Sequence, residues 1–550
     1  MNHVMKSTAL FKEKAFGPFL CFLVFLLFLF PGPARARESL PKVIVLEFHG
    51  MKRGVIQKNL DRLPHFRELI LGPLNRQGYI RMKNTRTTIP VASQPAVAAM
   101  YTGLYPRRTG VVSTIWFDRR TTAVHTLISY GQQRMNRILS ANGARSLFEY
   151  AADAGRTSMT AMLMLTNGAD WSLRSGAFFW GNASALTALR EGRWFPDSRY
   201  VDNRTVSALL TGRLLSYDNS LSNVLRHRKT LPDVTVVQLL GTDLYSHFPP
   251  AFLRKREASM DEIQGYYART VLDPLLGRIM EFLKRAGWYD RTVFVLISEH
   301  GFIKIRKLVP DALVDRSLSG AFRLPGFSRT RRDSDAVVMI GACTKEVYLK
   351  NRATGRWTDP PRLLLDVKPA VDLLLSNPRL RGILNAMVVR KYPGECSEGI
   401  AEHGPWWTLE WRTYAESKMM KVDFLRALKP LSHLSSYFQM GPFLARGLTN
   451  QYTRDTAPDI KIVNRKGIYF ERDFTKYGHH GSFYPEDCYV PFWIAGPGLS
   501  RVIKGRYELE EEASTLDLVP TVCGLLGIPE PEGLDGKNRL QGLSEDRGKD

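Results

Sequence analysis

The chain has 550 residues, of which 44% are hydrophobic, 24% charged and 11% aromatic. This composition is typical of a globular protein and excludes a disordered or low-complexity chain. The length allows one large domain with insertions or two to three smaller domains. The formal net charge of +24 favours anionic partners. Basic clusters such as "RHRK" (226–229) are dispersed, however, and they indicate no specific nucleic-acid-binding module.

The N-terminal residues are typical of an export signal. Basic residues precede the apolar run "FLCFLVFLLFLF" (19–30), and "ARA" (34–36) offers a cleavage site between small residues. The apolar run is shorter than the roughly 20 residues that a membrane-spanning helix needs. We therefore predict a signal peptide over 1–36, export to the periplasm or secretion, and no spanning helix in the mature chain. An uncleaved N-terminal membrane anchor is the alternative.

Removal of the signal peptide leaves 73 basic and 52 acidic residues, a net charge of +21. Four cysteines remain, at positions 343, 396, 488 and 523. None belongs to a CxxC pair, so the sequence argues against a thiolate metal site and leaves one or two disulfides open.

Short continuous apolar runs predict strands that are buried on both faces of a sheet. They are "VIVLEF" (43–48), "VTVVQLL" (234–240), "TVFVLIS" (292–298) and "YVPFWIA" (489–495). Helical patterns lie between them, as in the spacing of Leu272, Leu275, Ile279 and Phe282. This alternation predicts an α/β fold, a three-layer sandwich with a largely parallel central sheet flanked by helices.

Carboxylates and imidazoles follow three of these runs and gather in one later loop. They are His49, Asp243 with His247, Glu299 with His300, and the pair His479 and His480. Ligands in open α/β sheets bind beyond the carboxyl ends of the strands, so these side chains are expected at one edge of the sheet. Such ligands suit Zn²⁺, with Mn²⁺ and Fe as rivals.

The order of motifs resembles the alkaline phosphatase superfamily, and most closely its nucleotide pyrophosphatase/phosphodiesterase branch. The chain has "EFHG", "PVASQPAVAAMYTGLYP", "DLYSH", "SEHG" and "GHHG" in the order of that branch, and it ends in "STLDLVPTVCGLLGIPEPEGLDGK" (514–537). The resemblance implies an alkaline phosphatase-like fold and a site for two divalent metal ions, with Zn²⁺ expected. The implied ligands are Asp243, His247 and His480 for the first metal and His49, Glu299 and His300 for the second.

Ser93 is the predicted nucleophile. It lies nine residues before Thr102, as the family spacing requires, with Pro90 three residues upstream. Thr88 begins a Thr-Ile-Pro sequence that resembles the family's T-F-P, but it lies fourteen residues before Thr102. The chemistry needs a hydroxyl at a helix N-terminus, where the helix dipole favours an anionic ester. The alternative is an ordinary helix cap.

The chain departs from the family pattern at three positions. His49 and Glu299 stand where the family has Asp, and Glu47 is expected to point to the same side of its strand as His49. Thr114 stands where the family's phosphodiesterases place an Asn that binds a substrate phosphate oxygen. The resemblance therefore implies a substrate-binding role for Thr114, and it implies an altered second metal site.

The catalytic core is predicted in two parts, 37–320 and 471–550. Between them, 321–470 is predicted to hold further core strands and an aromatic-rich cap with Trp406, Trp407 and Trp411. Ordinary buried packing of these tryptophans is the alternative.

The predicted function is metal-dependent hydrolysis of an anionic phosphate ester, of the phosphodiesterase or nucleotide pyrophosphatase type, with a serine nucleophile. Phosphomonoesterase, sulfatase and phosphoryl-head-group transferase activities are alternatives on the same scaffold. The sulfatase alternative is weakened because Val97 stands where sulfatases have Arg after their S-x-P start. A catalytically degenerate binding protein is the alternative from a different class. The sequence leaves the oligomeric state open.

Overall fold

The structure is a computed structural model. It describes residues 40–73, 77–127, 131–173, 198–212, 219–326, 330–341, 343–390, 406–409, 428–430, 446–448, 450–453, 455–471 and 476–543. The predicted signal peptide lies outside these residues. Within them, no helix is both long enough and apolar enough to cross a membrane.

The strands of the described residues are short and, in the centre of the fold, continuously apolar. In chain order they are β1 (Lys42–Phe48), β2 (Tyr79–Arg86), β3 (Ile115–Asp118), β4 (Ala123–Thr126), β5 (Ser158–Ala161), β6 (Trp171–Leu173), β7 (Val234–Leu239), β8 (Thr292–Ile297), β9 (Ile303–Lys304), β10 (Lys307–Pro310), β11 (Ala336–Gly341), β12 (Thr344–Leu349), β13 (Leu384–Arg390), β14 (Trp406–Leu409), β15 (Leu428–Pro430), β16 (Ile460–Asn464), β17 (Ile468–Glu471), β18 (Gly478–His479), β19 (Phe492–Ala495) and β20 (Arg506–Ser514).

The central sheet has eight strands in the order β20-β2-β19-β8-β1-β7-β5-β6. Neighbouring strands are parallel except β19, which runs antiparallel to both β2 and β8. All four apolar runs identified in the sequence form strands of this sheet. The prediction of a largely parallel sheet flanked by helices is therefore confirmed.

Helices cover both faces of the central sheet. In chain order the α-helices are α1 (Val55–Asn59), α2 (Pro64–Leu71), α3 (Ser93–Thr102), α4 (Pro106–Thr109), α5 (Gly131–Ala141), α6 (Leu147–Asp153), α7 (Ser198–Thr211), α8 (Leu221–Arg228), α9 (Gly241–His247), α10 (Ala251–Lys255), α11 (Met260–Tyr267), α12 (Asp273–Arg285), α13 (Leu313–Leu318), α14 (Lys368–Ser376), α15 (Pro378–Ile383), α16 (Pro485–Cys488) and α17 (Leu518–Leu525).

The side chains of β1 alternate between two cores. Val43 and Val45 pack in one core with α3, α5, α6 and α17. Ile44 and Leu46 pack in the other with α2, α7, α11 and α12. A strand with a core on each side needs apolar side chains in both directions, which explains its continuous hydrophobic sequence.

A second sheet of six strands has the order β11-β12-β16-β13-β14-β15 and is antiparallel. The six strands of this second sheet all come from the predicted segment 321–470 and pair with one another rather than with the central sheet, while β17 pairs with β10. A third hydrophobic core lies between this second sheet and helices α13, α14 and α15. Trp411 and the side chains of Trp406 and Trp407 lie outside the described residues, so the cap stays a prediction.

Three of the four cysteines of the mature chain lie in the described residues. Cys343, Cys488 and Cys523 are buried and free, so none of the three takes part in a disulfide. The sulfhydryl of Cys343 donates to the carbonyl of Gly481, 2.8 Å away. Cys396 lies outside the described residues.

Candidate active site

The predicted site residues are brought together by three adjacent strands. In the sheet, β1 lies between β8 and β7. His49 follows β1, Asp243 lies in the helix that follows β7, and Glu299 with His300 follows β8. Since the three strands are parallel, their carboxyl ends lie at one edge of the sheet, where ligands bind in such folds.

The glycine after His49 allows Asp243 to approach the end of β1. Gly50 has a φ of +73°, and a Cβ atom there would lie 3.1 Å from Oδ1 of Asp243. A side chain at this position would be strained and would crowd the carboxylate. The "HG" pair that follows β1 therefore reflects close packing inside the site.

Asp243, His247 and His480 form a group suited to a divalent cation, which we call the aspartate group. Nε2 of His247 lies 3.5 Å from Oδ2 of Asp243, and Nε2 of His480 lies 3.6 Å from Oδ1. Ligand atoms at 2.0–2.1 Å from a tetrahedral zinc ion lie about 3.3 Å apart, which is close to each of these spacings, and the two histidines face different oxygens of Asp243.

Hydrogen bonds at Nδ1 of His247 and His480 leave Nε2 of each imidazole available to bind a metal. Nδ1 of His247 donates to the carbonyl of Gly478 at 2.8 Å, and Nδ1 of His480 donates to the carbonyl of Val91 at 3.3 Å. Such bonds to the far ring nitrogen fix the tautomer and orientation of a metal-ligating histidine.

The electrostatics of the aspartate group also fit a cation. Burial lowers the pKa of both His247 and His480 well below the usual value, which keeps the imidazoles neutral. Burial raises the pKa of Asp243 to about 6, and its Oδ1 atom is buried without a hydrogen-bond partner. A buried, unpartnered carboxylate oxygen is costly on its own, and a bound cation removes that cost.

Ser93 begins helix α3, but it does not cap it. The N-cap residue is Ala92, and no side chain caps this helix. The hydroxyl oxygen of Ser93 lies 3.0 Å from Nε2 of His49 and 3.2 Å from Nε2 of His300. The structure thus removes the helix-cap alternative and places the hydroxyl between two imidazoles of the site.

His49, Glu299 and His300 come together next to Ser93, and we call them the histidine group. Oε1 of Glu299 lies 2.9 Å from Nδ1 of His49 and 3.1 Å from Nε2 of His300. Both ring nitrogens of His49 therefore face protein atoms, with Ser93 at Nε2 and Glu299 at Nδ1. Ligand atoms of His49, Asp243 and His300 lie within 4.8 Å of one another, and Oε1 of Glu299 is buried without a hydrogen-bond partner, so these side chains also offer ligands to a cation.

The titratable side chains of the histidine group shift one another's pKa. Burial alone would lower the pKa of His49, but the carboxylates of Glu299, Asp243 and Glu47 together raise that pKa to about 9. Burial lowers the pKa of His300 to about 4. The pKa of Glu299 is also lowered, because His49 and His300 together outweigh the effect of burial. A favourable charge pair thus forms between His49 and Glu299.

Glu47, predicted to lie on the same side as His49, is held in a polar network behind it. Oε1 of Glu47 is 3.9 Å from Nδ1 of His49. Glu47 accepts hydrogen bonds from the Tyr101 hydroxyl at 2.8 Å and the Gln238 amide at 2.7 Å. Burial, followed by repulsion from Glu299, raises the pKa of Glu47 to about 8.

Our sequence reasoning missed Gln238 and Tyr101. Gln238 is paired in register with Glu47 across β7 and β1, which places both side chains on one face. It also lies 3.3 Å from Nδ1 of His49. The sequence feature that could have identified Gln238 is its position as the single amide in the apolar run "VTVVQLL". A buried polar residue in such a strand needs partners, and these partners belong to the site.

Thr114, the predicted substrate-binding residue, contacts the residue after the nucleophile. Its hydroxyl donates to Oε1 of Gln94 at 2.7 Å. Gln94 is half-buried in the first turn of α3. Thr114 is therefore linked to the site through Gln94, which our sequence reasoning did not identify.

His479 lies beside the aspartate group. It is buried, its ring stacks on Tyr469 with centroids 5.0 Å apart, and its Nδ1 accepts from the backbone N–H of His480 at 2.8 Å. The ring edge contacts His247, and the ligand atoms of His247, His479 and His480 lie within 4.8 Å of one another. The role of His480 as the ligand rather than His479 stays a prediction.

The fold is similar to that of known phosphodiesterases. Two structures of murine ectonucleotide pyrophosphatase/phosphodiesterase 5, one of them an inactive form in complex with AMP, each match with a TM-score of 0.52 and 16% sequence identity. The human protein matches with a TM-score of 0.51 and 15% identity. Each match covers 89% of this chain and 96% of the other. The chain thus has the fold of the alkaline phosphatase superfamily.

The amino-acid sequence identifies the family to which the chain belongs within that superfamily. Residues 43–357 match the family described as type I phosphodiesterase/nucleotide pyrophosphatase. The match covers more than half of the chain, and the protein belongs to this family of hydrolases.

One curated relative is similar over a short stretch. A delta 4,5-hexuronate-2-O-sulfatase from Bacteroides thetaiotaomicron is 41% identical over 78 residues. The match covers 14% of this chain and 15% of the sulfatase, far less than two thirds of its length. This likeness is too local to transfer an activity.

Proposed function

We propose that the chain is an exported, metal-dependent phosphodiesterase that uses Ser93 as its nucleophile. The aspartate group holds a divalent cation, with zinc as the first choice for one carboxylate and two neutral imidazoles. The observation that carries this proposal is the position of the Ser93 hydroxyl, within 3.2 Å of two imidazole nitrogens at the edge where Asp243 also lies.

The residues of the chain have distinct roles in this proposal. Ser93 attacks phosphorus from the first turn of α3, where backbone N–H groups and the helix dipole favour the anionic ester. Asp243, His247 and His480 would hold the cation, and its chemistry when bound would be electrostatic stabilisation of the leaving oxygen. Gly50 keeps space for the Asp243 carboxylate.

Thr114 and Gln94 bind the substrate together. The Thr114 hydroxyl engages the carbonyl oxygen of the Gln94 side chain, which leaves the amide N–H groups of Gln94 free to donate to a phosphate oxygen. Gln94 directly follows Ser93, so this donor lies next to the reacting centre. The longer Gln94 side chain thereby compensates for the short reach of a threonine at position 114.

The cation-loaded mature protein is expected to cleave bis-p-nitrophenyl phosphate with a kcat/KM at least about 10-fold above that for p-nitrophenyl phosphate. It is expected to leave p-nitrocatechol sulfate intact, since Val97 stands where sulfatases have Arg. Initial rates with the three chromogenic substrates, before and after chelation with EDTA, measure this directly. Preferred cleavage of the sulfate would support the sulfatase alternative, and no cleavage of any ester would support a binding protein.

A further inference from the structure

One cavity of the structure is lined by four cationic side chains and by none of the candidate site residues. It has a volume of about 660 Å³. The four cations are Arg306, Lys307, Arg465 and Lys466. We call this feature the basic cavity. It gives the excess positive charge of the chain a defined place at which an anion can bind.

The fold itself brings the two pairs of cations together. The backbone N–H groups of Arg306 and Lys307 both donate to the carbonyl of Gly467, at 2.8 and 3.1 Å. Strand β10 then pairs in parallel with β17, with Lys307 in register with Ile468. Gly467 has a φ of +76°, and a Cβ atom there would lie 2.9 Å from Cγ of Arg306. The turn therefore needs glycine to lie against Arg306, and the convergence of charge is fixed by the backbone.

The positive charge of the basic cavity is only partly neutralised by protein groups. Lys466 forms an ion pair with Glu486. Among the residues that the structure describes, no carboxylate lies within ion-pair distance of Arg306, Lys307 or Arg465. Nε of Arg465 donates to the carbonyl of Leu384 at 3.1 Å, which fixes one edge of the guanidinium. Like charges held in one cavity repel one another, and a bound anion removes that repulsion.

The number and type of the cations indicate more than one phosphate group. A guanidinium presents a planar fork that binds two phosphate oxygens at once, and an ammonium neutralises them as a compact charge. The basic cavity has two of each, and one of the four positive charges is balanced by Glu486. A single phosphate ester, with about two negative charges near pH 7, would leave the cavity positive.

The remaining walls of the basic cavity suit a carbon skeleton. Leu384 and Ile468 are apolar, the ring of Tyr484 offers an apolar face with a polar hydroxyl, and Asn385 offers an amide. An inorganic polyphosphate would make no use of the apolar walls. The volume also falls within the range of about 300–1,000 Å³ that is usual for pockets that bind organic ligands.

We propose that the basic cavity binds an organic anion that carries at least two phosphate groups. A nucleoside diphosphate and a sugar bisphosphate share this chemistry. The site is additional to the phosphodiesterase site proposed above, and no bond is made or broken in it. Its occupancy can therefore be measured without catalysis.

The test is calorimetric titration of the full mature protein, treated with EDTA, with ADP and with fructose 1,6-bisphosphate. We expect one binding site per chain for at least one of the two ligands. The double variant Arg306→Ala, Lys307→Ala is expected to raise the dissociation constant at least about 10-fold, because it removes two groups that hold phosphate. Both side chains are exposed, so the fold should be unaffected, and the melting temperature of the variant checks this.

The matched control is the double variant Arg228→Ala, Lys229→Ala, which removes an exposed arginine and lysine at the end of α8. It lowers the net charge by the same amount, and at physiological salt it should leave the dissociation constant within about twofold of the wild type, because screening weakens distant charges. Equal weakening by both double variants would show that the attraction is unspecific and would overturn the inference.

The two ligands distinguish the sources of the phosphate groups. Tighter binding of ADP would identify nucleotides as the ligand class, and tighter binding of the sugar would identify phosphorylated sugars. Dissociation constants above about 1 mM for both ligands, or binding that Arg306→Ala, Lys307→Ala retains in full, would overturn the inference. Absence of phosphodiester cleavage by the wild type would instead contradict the proposed function and leave this inference standing.

Discussion

Ser93→Ala is expected to lower kcat for bis-p-nitrophenyl phosphate by at least about 10³-fold, because it removes the atom that forms the bond to phosphorus. The substitution removes one oxygen atom from the first turn of α3, and Ala92 remains the N-cap residue. The fold and the aspartate group should therefore be unaffected. Steady-state rates at saturating substrate, together with the metal content of the variant, measure the effect.

The matched control for this variant is Ser500→Ala, which removes the hydroxyl of an exposed serine. It should retain wild-type kcat. A Ser93→Ala protein that binds its metal and turns over within about threefold of the wild type would show that another group attacks phosphorus.

Asp243→Asn is expected to abolish tight binding of the cation and to lower kcat by at least about 10²-fold. Asparagine keeps the shape of the side chain but removes the charge that faces His247 and His480. Zinc should raise the melting temperature of the wild-type protein, because an ion that binds only the folded state stabilises it by mass action. The variant should lose most of this increase.

Without a cation, the same variant should melt at a temperature equal to or above that of the wild type. Burial raises the pKa of Asp243 to about 6, so at pH 8 the ion-free wild type carries an unfavourable buried charge that asparagine lacks. Asp290→Asn, at an exposed position, is the control for loss of one carboxylate. A zinc-dependent increase that survives in Asp243→Asn would place the cation elsewhere.

The central sheet was predictable because its strands are buried on both faces. A strand with helices on either side requires an unbroken apolar run, as "VIVLEF" and "TVFVLIS" show. The antiparallel direction of β19 was not predictable, since the run "YVPFWIA" carries no signal for direction. The pairing of the strands of 321–470 in a separate sheet was also missed, because apolar runs do not identify the sheet to which they belong.

The sequence predicted which residues meet in the candidate site. His49, Asp243 and Glu299 follow neighbouring parallel strands. The carboxyl ends of such strands meet at one edge of the sheet, where ligands bind, so these residues were expected to lie close together. The roles of individual nitrogens could not be predicted. That Nδ1 of His49 faces Glu299 while Nε2 faces Ser93 depends on side-chain geometry and on partners such as Gln238. Thr114 was predicted to bind the substrate. Its contact with Gln94 could not be predicted, because it depends on how α3 packs.

The most direct test of the account is a crystal structure of the protein grown with zinc and orthovanadate, a mimic of the phosphoryl group in transfer. We predict anomalous scattering from one ion among Asp243, His247 and His480, with vanadium within bonding distance of the Ser93 hydroxyl oxygen. Vanadate bound away from Ser93, or zinc bound at other side chains, would contradict the assignment of this site.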